Sequence, residues 1–397
     1  MDETILVVNA GSSSIKFELF EVGSGERLSS RLEGQIEGIG VQPRLLATAA
    51  DGERLADERF EPARVTDVEA AQDVVGAWLA QRLERPPLAV GHRVVHGGPD
   101  YAQPVRLDAR VLADLERFVP LAPLHQPNNL APIRALLRQN PDLPQVACFD
   151  TAFHRGHPAL ADRFAIPEPL YAEGIRRYGF HGLSYEYIAH RLGELDPELA
   201  AGRVIVAHLG SGCSMCALRA GRSIESTMGF TALDGLPMGT RPGQLDAGVV
   251  LHLMRAKGMD AAALEHFLYH ECGLKGLSGL SNDVRVLLAS SEPGAVLALE
   301  FFVYKIAQMT GWLAAALEGL DGFVFTAGIG ENAPTIREAV AHRLGWLGLH
   351  LDPLANGAGE TLISTPGSRV QVLVIPTDEE LMIARHTLRL LRARAAG

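Results

Sequence analysis

The sequence is poor in cysteine, in basic residues and in long apolar runs, and each shortage excludes a class of protein. Four cysteines among 397 residues cannot form the disulfide framework of a small secreted scaffold. Acidic residues outnumber basic ones by 47 to 36, giving a net charge of −11, which argues against a nucleic-acid partner. No apolar run reaches the ~18 residues that suggest a membrane helix, and Met1-Asp2-Glu3 lacks the basic start of a signal peptide. We therefore expect a cytoplasmic protein with neither nucleic acid nor membrane as a partner.

What the chain has is an alternation of apolar strand patterns and helix patterns, which predicts α/β sheets covered by helices. A capping box of Thr66 and Glu69 is expected to open the first helix. The predicted strands are 4–9, 15–22, 88–95, 145–149, 204–209, 323–326 and 370–375. The predicted helices are 66–84, 128–139, 184–193, 246–257, 281–290, 295–319 and 378–394. We expect a first domain over 1–150 and a second over 151–379, with the helix 380–397 returning to the first.

The most informative segment is 6–17, where an apolar strand meets Gly11 and three serines, and a second strand leaves with Lys16. Glycine permits a tight turn with positive φ. Backbone N–H groups, hydroxyls and one ammonium then converge, as a bound polyphosphate requires. It is not a Walker loop, because GxxxxGK[ST] occurs nowhere in the chain. The alternative is a serine-rich hairpin turn without a ligand.

A second segment, 204–216, repeats the plan of strand, Gly/Ser turn and strand. Two such turns predict a duplicated domain with phosphate loops facing each other across a cleft. The pair Cys213 and Cys216 falls inside the repeat and is expected to be two buried thiols rather than half of a zinc site. A third glycine segment, 323–332, has strand–turn–helix order but lacks the third glycine of a dinucleotide loop. It predicts a nucleoside pocket that includes Asn332.

Charged residues lie between these turns. Arg93 and Arg241 are both placed beside glycines, and arginine presents a planar fork that matches carboxylate and phosphoryl oxygens. Asp150 directly follows an apolar strand, a typical position for an acid associated with Mg²⁺. Acids also follow the last strand at 378–380, where an ordinary helix N-terminus is the alternative interpretation. His125 and His181 sit between turn-forming residues rather than on helix faces.

Together these segments resemble the acetate kinase family, in that family's order and over nearly the whole chain. The segments are Asn9-x-Gly-Ser-Ser-Ser-x-Lys16, Arg93-Val-Val-His-Gly-Gly98, Phe149-Asp-Thr-Ala-Phe-His154, His208-x-Gly-x-Gly-x-Ser214, Met238-Gly-Thr-Arg241, Thr326-Ala-Gly-Ile-Gly-Glu-Asn332 and Pro376-Thr-Asp-Glu-Glu-Leu-Met-Ile-Ala384. The resemblance implies two duplicated actin-like ATPase domains, with ribonuclease H-like sheets, closing over a central cleft. It also implies a homodimer, ATP or ADP as substrate, Mg²⁺ with Mn²⁺ as the alternative, and reversible γ-phosphoryl transfer to acetate.

The resemblance also assigns roles to individual residues. Near the transferring phosphoryl or its metal it implies Asn9, Ser12, Ser14 and Lys16. For the acetate carboxylate and the equatorial oxygens it implies Arg93 and Arg241, with His181 and His125 hydrogen-bonding the phosphoryl group. For Mg²⁺ it implies Asp150, Glu379 and Asn9. For the nucleotide and its phosphates it implies His208, Gly210, Ser211, Gly212, Asp283, Arg285, Gly328, Ile329 and Asn332. The apolar pocket for the substrate methyl would be Val95, Leu124, Phe180 and Ala232.

The sequence departs from the family pattern at Ser211, where Asn is usual, and at Ala232, where Pro is usual. A smaller side chain at Ala232 leaves acetate selectivity open, so a kinase for propionate or another short acid is the close alternative. A nucleotide-driven conformational protein is a second alternative, but such a switch needs no arginine clamp for another substrate. A sugar kinase is a third, with Asp150 as the base that activates a hydroxyl.

Overall fold

A computed structural model describes residues 3–11 and 13–393 of the chain. Internal packing divides the chain into two compact units. Unit 1 is Met1–Phe153 with Asp378–Gly397, and unit 2 is His154–Thr377. Ser12, which the resemblance places near the transferring phosphoryl, lies outside the described residues. None of the helices within those residues is long and apolar enough to cross a membrane.

Unit 1 is built on a single sheet. Its strands are β1 (Glu3–Ala10), β2 (Ser14–Val22), β3 (Leu28–Glu37), β4 (Arg44–Ala49), β5 (Arg54–Arg59), β6 (Ala89–Val94), β7 (Val105–Arg106) and β8 (Gln145–Phe149). The eight strands lie in the order β5-β4-β3-β2-β1-β6-β8-β7. The predicted hairpin of β1 and β2 is confirmed, with Asn9 opposite Lys16. Strands β1, β6 and β8 run parallel, so their carboxyl ends share one edge of the sheet.

The α-helices found among the described residues of unit 1 are α1 (Val68–Ala80), α2 (Ala109–Glu116), α3 (Gln126–Gln139) and the late helix α15 (Glu379–Ala393). The predicted capping box at α1 is wrong, because the Asp67 carboxylate accepts from the Ala70 N–H at 2.9 Å. Asp67 is one residue closer to the helix than Thr66, and it therefore occupies the N-cap position. Helix α15 packs against β1, β6 and β8.

Unit 2 repeats part of this plan. Its strands are β9 (Arg203–Leu209), β10 (Cys213–Arg219), β11 (Arg222–Ser226), β12 (Gly322–Thr326) and β13 (Gln371–Val374), in the order β11-β10-β9-β12-β13. Three antiparallel strands are followed by two parallel ones. The run β3-β2-β1-β6-β8 of unit 1 has the same sequence of directions. The duplication predicted from the two glycine turns is therefore present in the strand order.

Helices surround the second sheet, and within the described residues they are α4 (Glu168–Ala172), α5 (Gly182–Leu195), α6 (Pro197–Ala200), α7 (Ala247–Lys257), α8 (Ala261–His270), α9 (Gly273–Ser278), α10 (Val284–Leu288), α11 (Pro293–Leu317), α12 (Ala327–Asn332), α13 (Pro334–Arg343) and α14 (Pro353–Ala358). The predicted helix 281–290 is shorter, because Asp283 caps its start. The turn predicted between β12 and α12 is short: it lies at Ala327, whose φ of 63° is left-handed, and α12 begins at that residue. Cys213 and Cys216 are buried thiols, as predicted, and burial raises the pKa of each to about 12.

The close approach of α15 to β6 depends on Gly91. A Cβ atom added there would lie 2.5 Å from Thr387 Oγ1 and 2.6 Å from Ile383 Cγ2. We expect Gly91→Ala to lower the free energy of unfolding of unit 1 by about 1–3 kcal/mol, the usual range for overpacking. The matched control is Gly76→Ala on the exposed face of α1, where a Cβ would meet nothing within 4 Å.

The control should raise stability by about 0.5–1 kcal/mol, since alanine is the better helix former. Urea unfolding followed by far-ultraviolet circular dichroism measures both variants. Equal stability of Gly91→Ala and the wild type would contradict the close packing of α15 on β6.

Candidate active site

The first group of predicted site residues surrounds the guanidinium of Arg93 on β6. Its Nε and Nη2 atoms donate to the two carboxylate oxygens of Asp150 at 2.9 and 2.6 Å. Asn9 Oδ1 accepts from Nη1 at 3.4 Å, and Glu379 Oε2 lies 3.6 Å from Nε. These acceptors come from the ends of β1 and β8 and from the first turn of α15. The Arg93 guanidinium thus contacts one amide and two carboxylates, which come from three segments that are distant in the sequence.

Burial and ion pairing act in opposite directions on the pKa values of Arg93 and Glu379. Burial alone would lower the pKa of Arg93, but the charges of Asp150 and Glu379 more than offset it, and the pKa is raised. Burial raises the pKa of the Glu379 carboxyl, and Arg93 opposes that shift. Asp150 is only 1% exposed and the Arg93 side chain 22%, so their bidentate pair is largely shielded from water. Arg93 is therefore a permanent cation within an acidic group of oxygen donors.

The glycine turn of unit 1 is held by a hydrogen bond within the turn and by a side chain of α3. Within the turn, the Gly11 N–H donates to the Ser14 carbonyl at 2.8 Å. Lys16, on the strand that leaves the turn, is exposed. The buried amide of Asn129 on α3 donates to the Ala10 carbonyl at 2.6 Å and accepts from the Val95 N–H at 2.9 Å. Asn129 therefore connects the start of the turn to the residue that follows β6. No motif in the sequence marks Asn129.

Two further predicted residues lie at the start of α3. His125 is the N-cap residue of that helix, and Leu124 precedes it. The Asn128 side chain donates to the Leu124 carbonyl at 3.0 Å. Val95 is buried, whereas Leu124 and His125 are half-buried. The structure thus places these three residues in unit 1, near the carboxyl end of β6 and the start of α3.

In unit 2 the second glycine turn, 210–212, brings together Arg241 and His181. The turn closes through the Gly210 N–H, which donates to the Gly212 carbonyl at 3.1 Å. A Cβ atom on Gly212 would lie 2.9 Å from Arg241 Nη2 and 3.3 Å from His181 Nε2. Glycine at this position therefore leaves space for both side chains to approach the turn. Ser211 is exposed on the same turn, and its carbonyl accepts from the Gly239 N–H at 3.2 Å.

Arg241 differs from Arg93 in its partners. Its Nη1 donates to the Ala232 carbonyl at 2.8 Å. Among the residues that the structure describes, no carboxylate lies within ion-pair distance of this guanidinium, and burial lowers its pKa. Arg241 is half-buried, and a charge that is partly removed from water is unfavourable unless an opposite charge or hydrogen bonds compensate it. The position is therefore suited to an anion that arrives from outside the chain.

The predicted nucleotide residues lie at two further places in unit 2. Gly328, Ile329 and Asn332 are all on the short helix α12, where Asn332 Nδ2 donates to the Gly328 carbonyl at 3.0 Å. Asp283 and Arg285 form an exposed ion pair of 2.6 Å at the start of α10. No hydrogen bond within the described part of the chain joins that ion pair to the glycine turn. Their assignment to the nucleotide remains a prediction.

Two sets of supporting residues escaped the sequence analysis. Arg337 is buried, and its Nη1 donates to the carbonyls of Gly330 and Glu331 at 3.0 and 2.8 Å, which fixes the end of α12. Ser184 and Tyr185 at the start of α5, together with Ser214 and Thr377, supply hydroxyls behind His181 and His208. Ser214 and Thr377 lie inside quoted motifs, but nothing in the sequence marks Ser184 or Tyr185.

Each unit repeats the same five-strand plan, and the first hairpin turn of each repeat carries glycine. This duplicated α/β plan defines a protein of the actin-like ATPase fold. The family is a narrower class within that fold. The model of the acetokinase family matches residues 4–385, and the chain belongs to that family.

Known members of the family are similar to this chain over nearly their full length. The chain is 63% identical over 395 residues to the acetate kinase of Nitrobacter hamburgensis, covering 100% of this chain and 98% of the relative. A solved acetate kinase from Porphyromonas gingivalis has a TM-score of 0.87 at 35% identity, covering 98% of this chain and 100% of the other. A solved propionate kinase from Francisella tularensis has a TM-score of 0.90 at 36% identity, covering 98% and 99%.

One histidine beside the site acts on stability. His92 precedes Arg93 on β6, is 1% exposed, and shares a 2.9 Å hydrogen bond with Gln145 Oε1. Burial lowers its pKa to about 4. Because this value lies below the unfolded pKa of about 6.5, the unfolded chain binds the proton first, and stability falls as the pH drops from about 6.5 towards 4.

From pH 7 to pH 5 we expect His92 to remove about 2 kcal/mol from the free energy of unfolding of unit 1. Urea unfolding at both pH values measures the loss. His92→Gln should show a smaller pH-dependent loss than the wild type. An unchanged pH slope in that variant would show that His92 titrates normally in the folded state.

Proposed function

We propose that this protein is an ATP-dependent kinase that converts acetate and ATP reversibly into acetyl phosphate and ADP. The observation that carries the proposal is the half-buried guanidinium of Arg241 beside the glycine turn, with no carboxylate partner among the described residues. Such a cation favours the binding of an anion. Membership of the acetokinase family and relatives named acetate kinase identify the chemistry of that anion.

The chemistry requires positioned charge rather than a base. Acetate, like an Asp or Glu side chain, is already ionised at pH 7. One carboxylate oxygen attacks the γ-phosphorus, the new O–P bond forms, and the bond to the bridging oxygen breaks. ADP leaves with that electron pair. The protein has to align the two oxygens and neutralise the charge on the phosphoryl group, which are tasks suited to the planar forks of Arg93 and Arg241.

The oxygen donors around Arg93 suit Mg²⁺. Proteins usually bind this ion through one or two carboxylates together with substrate phosphates, and unit 1 offers Asp150 and Glu379 with the amide of Asn9. These three residues would hold the ion, with Mn²⁺ as the alternative. When bound, the ion would neutralise charge on the nucleotide phosphates. Lys16 and Ser14 would add donors from the glycine turn, and His125 would add another from the start of α3.

The test is formation of acyl phosphate, trapped with hydroxylamine, from acetate, propionate, butyrate and glycerol in parallel, with and without ATP and Mg²⁺. We expect the highest kcat/KM with acetate and no product from glycerol. ATP hydrolysis without acyl phosphate would replace the proposal with a nucleotide-driven switch. Phosphorylation of glycerol would instead favour the sugar-kinase interpretation.

Removal of either arginine should nearly abolish turnover. We expect Arg93→Ala and Arg241→Ala to lower kcat by roughly 10³-fold or more, because an arginine that stabilises the transferring phosphoryl group can contribute about 10³–10⁵ in rate. Arg241→Lys should recover little, since an ammonium lacks the planar fork. The matched control is Arg134→Ala, which removes an exposed ion pair with Glu116. Steady-state kinetics measures kcat for each variant, and thermal unfolding shows whether the variant is folded. A near-normal kcat in either alanine variant would remove that arginine from the mechanism.

The acid preferred by the enzyme depends on Ala232. Its carbonyl accepts from Arg241 Nη1, so the residue lies beside the cation proposed for the reacting groups. A relative of the same fold is named a propionate kinase, and a side chain smaller than proline leaves room for one more methylene. Propionate is therefore the second candidate substrate.

We expect Ala232→Pro to raise the ratio of kcat/KM for acetate over propionate. The change should be about 10-fold, within the ~1–3 kcal/mol that one methylene contributes to discrimination. The measurement is the two kcat/KM values for the wild type and the variant. The control is Ala201→Ser, at an exposed alanine that follows α6, and it should keep the wild-type ratio. An unchanged ratio in Ala232→Pro would exclude this position from the acyl pocket.

We also propose that the enzyme is a cytoplasmic homodimer. Helices α10 and α11 expose apolar side chains, among them Val286, Leu297 and Tyr304 at 46%, 55% and 44%. Exposed apolar residues that cluster on one face favour burial against a partner. Sedimentation should give twice the 42.7 kDa chain mass, and Leu297→Glu should shift the equilibrium towards monomer. A monomeric wild type at micromolar concentration would contradict this assembly.

A further inference from the structure

Two histidines of unit 2 stack beside the second glycine turn. His181 precedes α5 and His208 lies near the end of β9, with ring centroids 4.1 Å apart and ring planes 17° apart. The Nε2 atom of His181 would lie 3.3 Å from a Cβ on Gly212, and that of His208 would lie 3.8 Å from a Cβ on Gly210. Both rings therefore present the Nε2 edge to the turn.

At the opposite edge of each ring, the Nδ1 atom lies within hydrogen-bond distance of a serine hydroxyl. His181 Nδ1 lies 2.8 Å from Ser214 Oγ, which lies 2.5 Å from the Tyr185 hydroxyl. His208 Nδ1 lies 2.9 Å from Ser184 Oγ, which accepts from Thr377 Oγ1 at 2.8 Å. Each Nδ1 atom is thus hydrogen-bonded to a serine hydroxyl, and that serine is hydrogen-bonded to a second hydroxyl. The arrangement occurs twice, with residues from different elements.

The direction of these hydrogen bonds follows from the number of protons. A serine hydroxyl has one hydrogen to donate and two lone pairs that accept. Because Thr377 donates to Ser184, the Ser184 hydrogen remains available for His208 Nδ1. A phenol, with a pKa near 10, is a better donor than an alkyl hydroxyl, so we infer that Tyr185 donates to Ser214, which leaves the Ser214 hydrogen for His181 Nδ1. A ring nitrogen that accepts carries no proton.

We propose that the hydroxyl pairs Tyr185–Ser214 and Thr377–Ser184 hold His181 and His208 as neutral imidazoles with the proton on Nε2, so that both donate towards an anion at the glycine turn. The identity of that anion as a phosphoryl group rests on the proposed function, whereas the tautomers do not. The four hydroxyl residues act as positioning residues, since none of them needs to touch the substrate. Stacking at 4.1 Å agrees with neutral rings, because two imidazolium ions at that distance would repel each other.

This arrangement has a chemical consequence for the transfer. A neutral Nε2–H group stabilises negative charge on a phosphoryl oxygen by hydrogen bonding. It donates without the positive charge of an imidazolium, which would more readily release a proton to the acyl phosphate. The wrong tautomer would point a lone pair at the anion instead. Fixing the tautomer therefore decides whether the two rings attract or repel the substrate.

The direct test is nuclear magnetic resonance of the full chain labelled with ¹⁵N-histidine, without nucleotide, at pH 7.5. Long-range ¹H–¹⁵N correlations show which ring nitrogen carries the proton, and His181→Gln and His208→Gln assign the two signals. We expect the proton on Nε2 in both rings. A proton on Nδ1, or an imidazolium in either ring, overturns the proposal. This readout does not use activity, so a protein that makes no acyl phosphate would refute the proposed function and leave the tautomer result standing.

The functional consequence is tested with variants that each remove one hydroxyl. We expect Tyr185→Phe and Ser214→Ala to lower kcat by about 10–100-fold, the range seen when a group that orients a functional histidine is removed. The KM for acetate should change less. In Tyr185→Phe the His181 signals should show a mixture of tautomers, while those of His208 stay unchanged.

Matched controls separate positioning from a general loss of structure. Tyr171→Phe removes a hydroxyl that bonds Asp162, and Ser368→Ala removes one that bonds the carbonyls of Gly348 and Val370. Both controls should keep the wild-type kcat. Because Tyr185→Phe removes a single oxygen, its thermal midpoint should stay near the wild type. A wild-type kcat and an unmixed tautomer in Tyr185→Phe would refute the role assigned to that residue.

Discussion

The half-buried guanidinium of Arg93 connects distant parts of unit 1. A charge that is largely removed from water needs partners of opposite sign and good geometry, and these partners come from three separate segments of the chain. Asp150 arrives from the end of β8, Asn9 from β1, and Glu379 from α15, more than 200 residues later in the sequence. The return of the last helix to the first sheet is therefore connected to the chemistry, since α15 both covers β6 and delivers a carboxylate to its strand end.

Two arginines of unit 2 have a different kind of partner. Arg241 and Arg337 donate to carbonyl oxygens, and no carboxylate of the described residues pairs with either, whereas Arg177 of the same unit pairs with Glu225 and Asp234. Carbonyls fix the orientation of a guanidinium without cancelling its charge. In the proposed function, the acids around Arg93 suit a metal ion, whereas Arg241 keeps a positive charge that suits an anion. This division of charge explains why a chain with a net charge of −11 can still bind a polyanion: the local field, and not the total, decides.

Much of the fold and of the site can be predicted from the sequence, and the exceptions have physical causes. Buried strands such as β8 and β12 are continuous apolar runs and can be predicted within a residue. Strands β3 and β5 cannot, because β5 buries only Ala56 and β3 only Leu32 and Ile36, too few for a recognisable period. Arg93 and Asp150 can be predicted because each stands beside a strand end. The hydroxyls behind the histidines cannot, since Thr377 meets Ser184 across 193 residues and only the folded chain aligns them.

The two repeats place different side chains at equivalent positions of one backbone plan. In unit 1 the paired positions before and after the glycine turn hold Asn9 and Lys16, whereas in unit 2 they hold His208 and Ser214. The register is equivalent, so the side chains occupy the same place in each hairpin. In the proposed function, the Asn9 amide would supply an oxygen ligand to the metal ion, and the Lys16 ammonium would donate to a phosphate. An imidazole and a hydroxyl suit a fixed N–H donor. Because the hairpin sets position and the side chain sets charge, the two repeats could diverge in chemistry while the strand order remained the same.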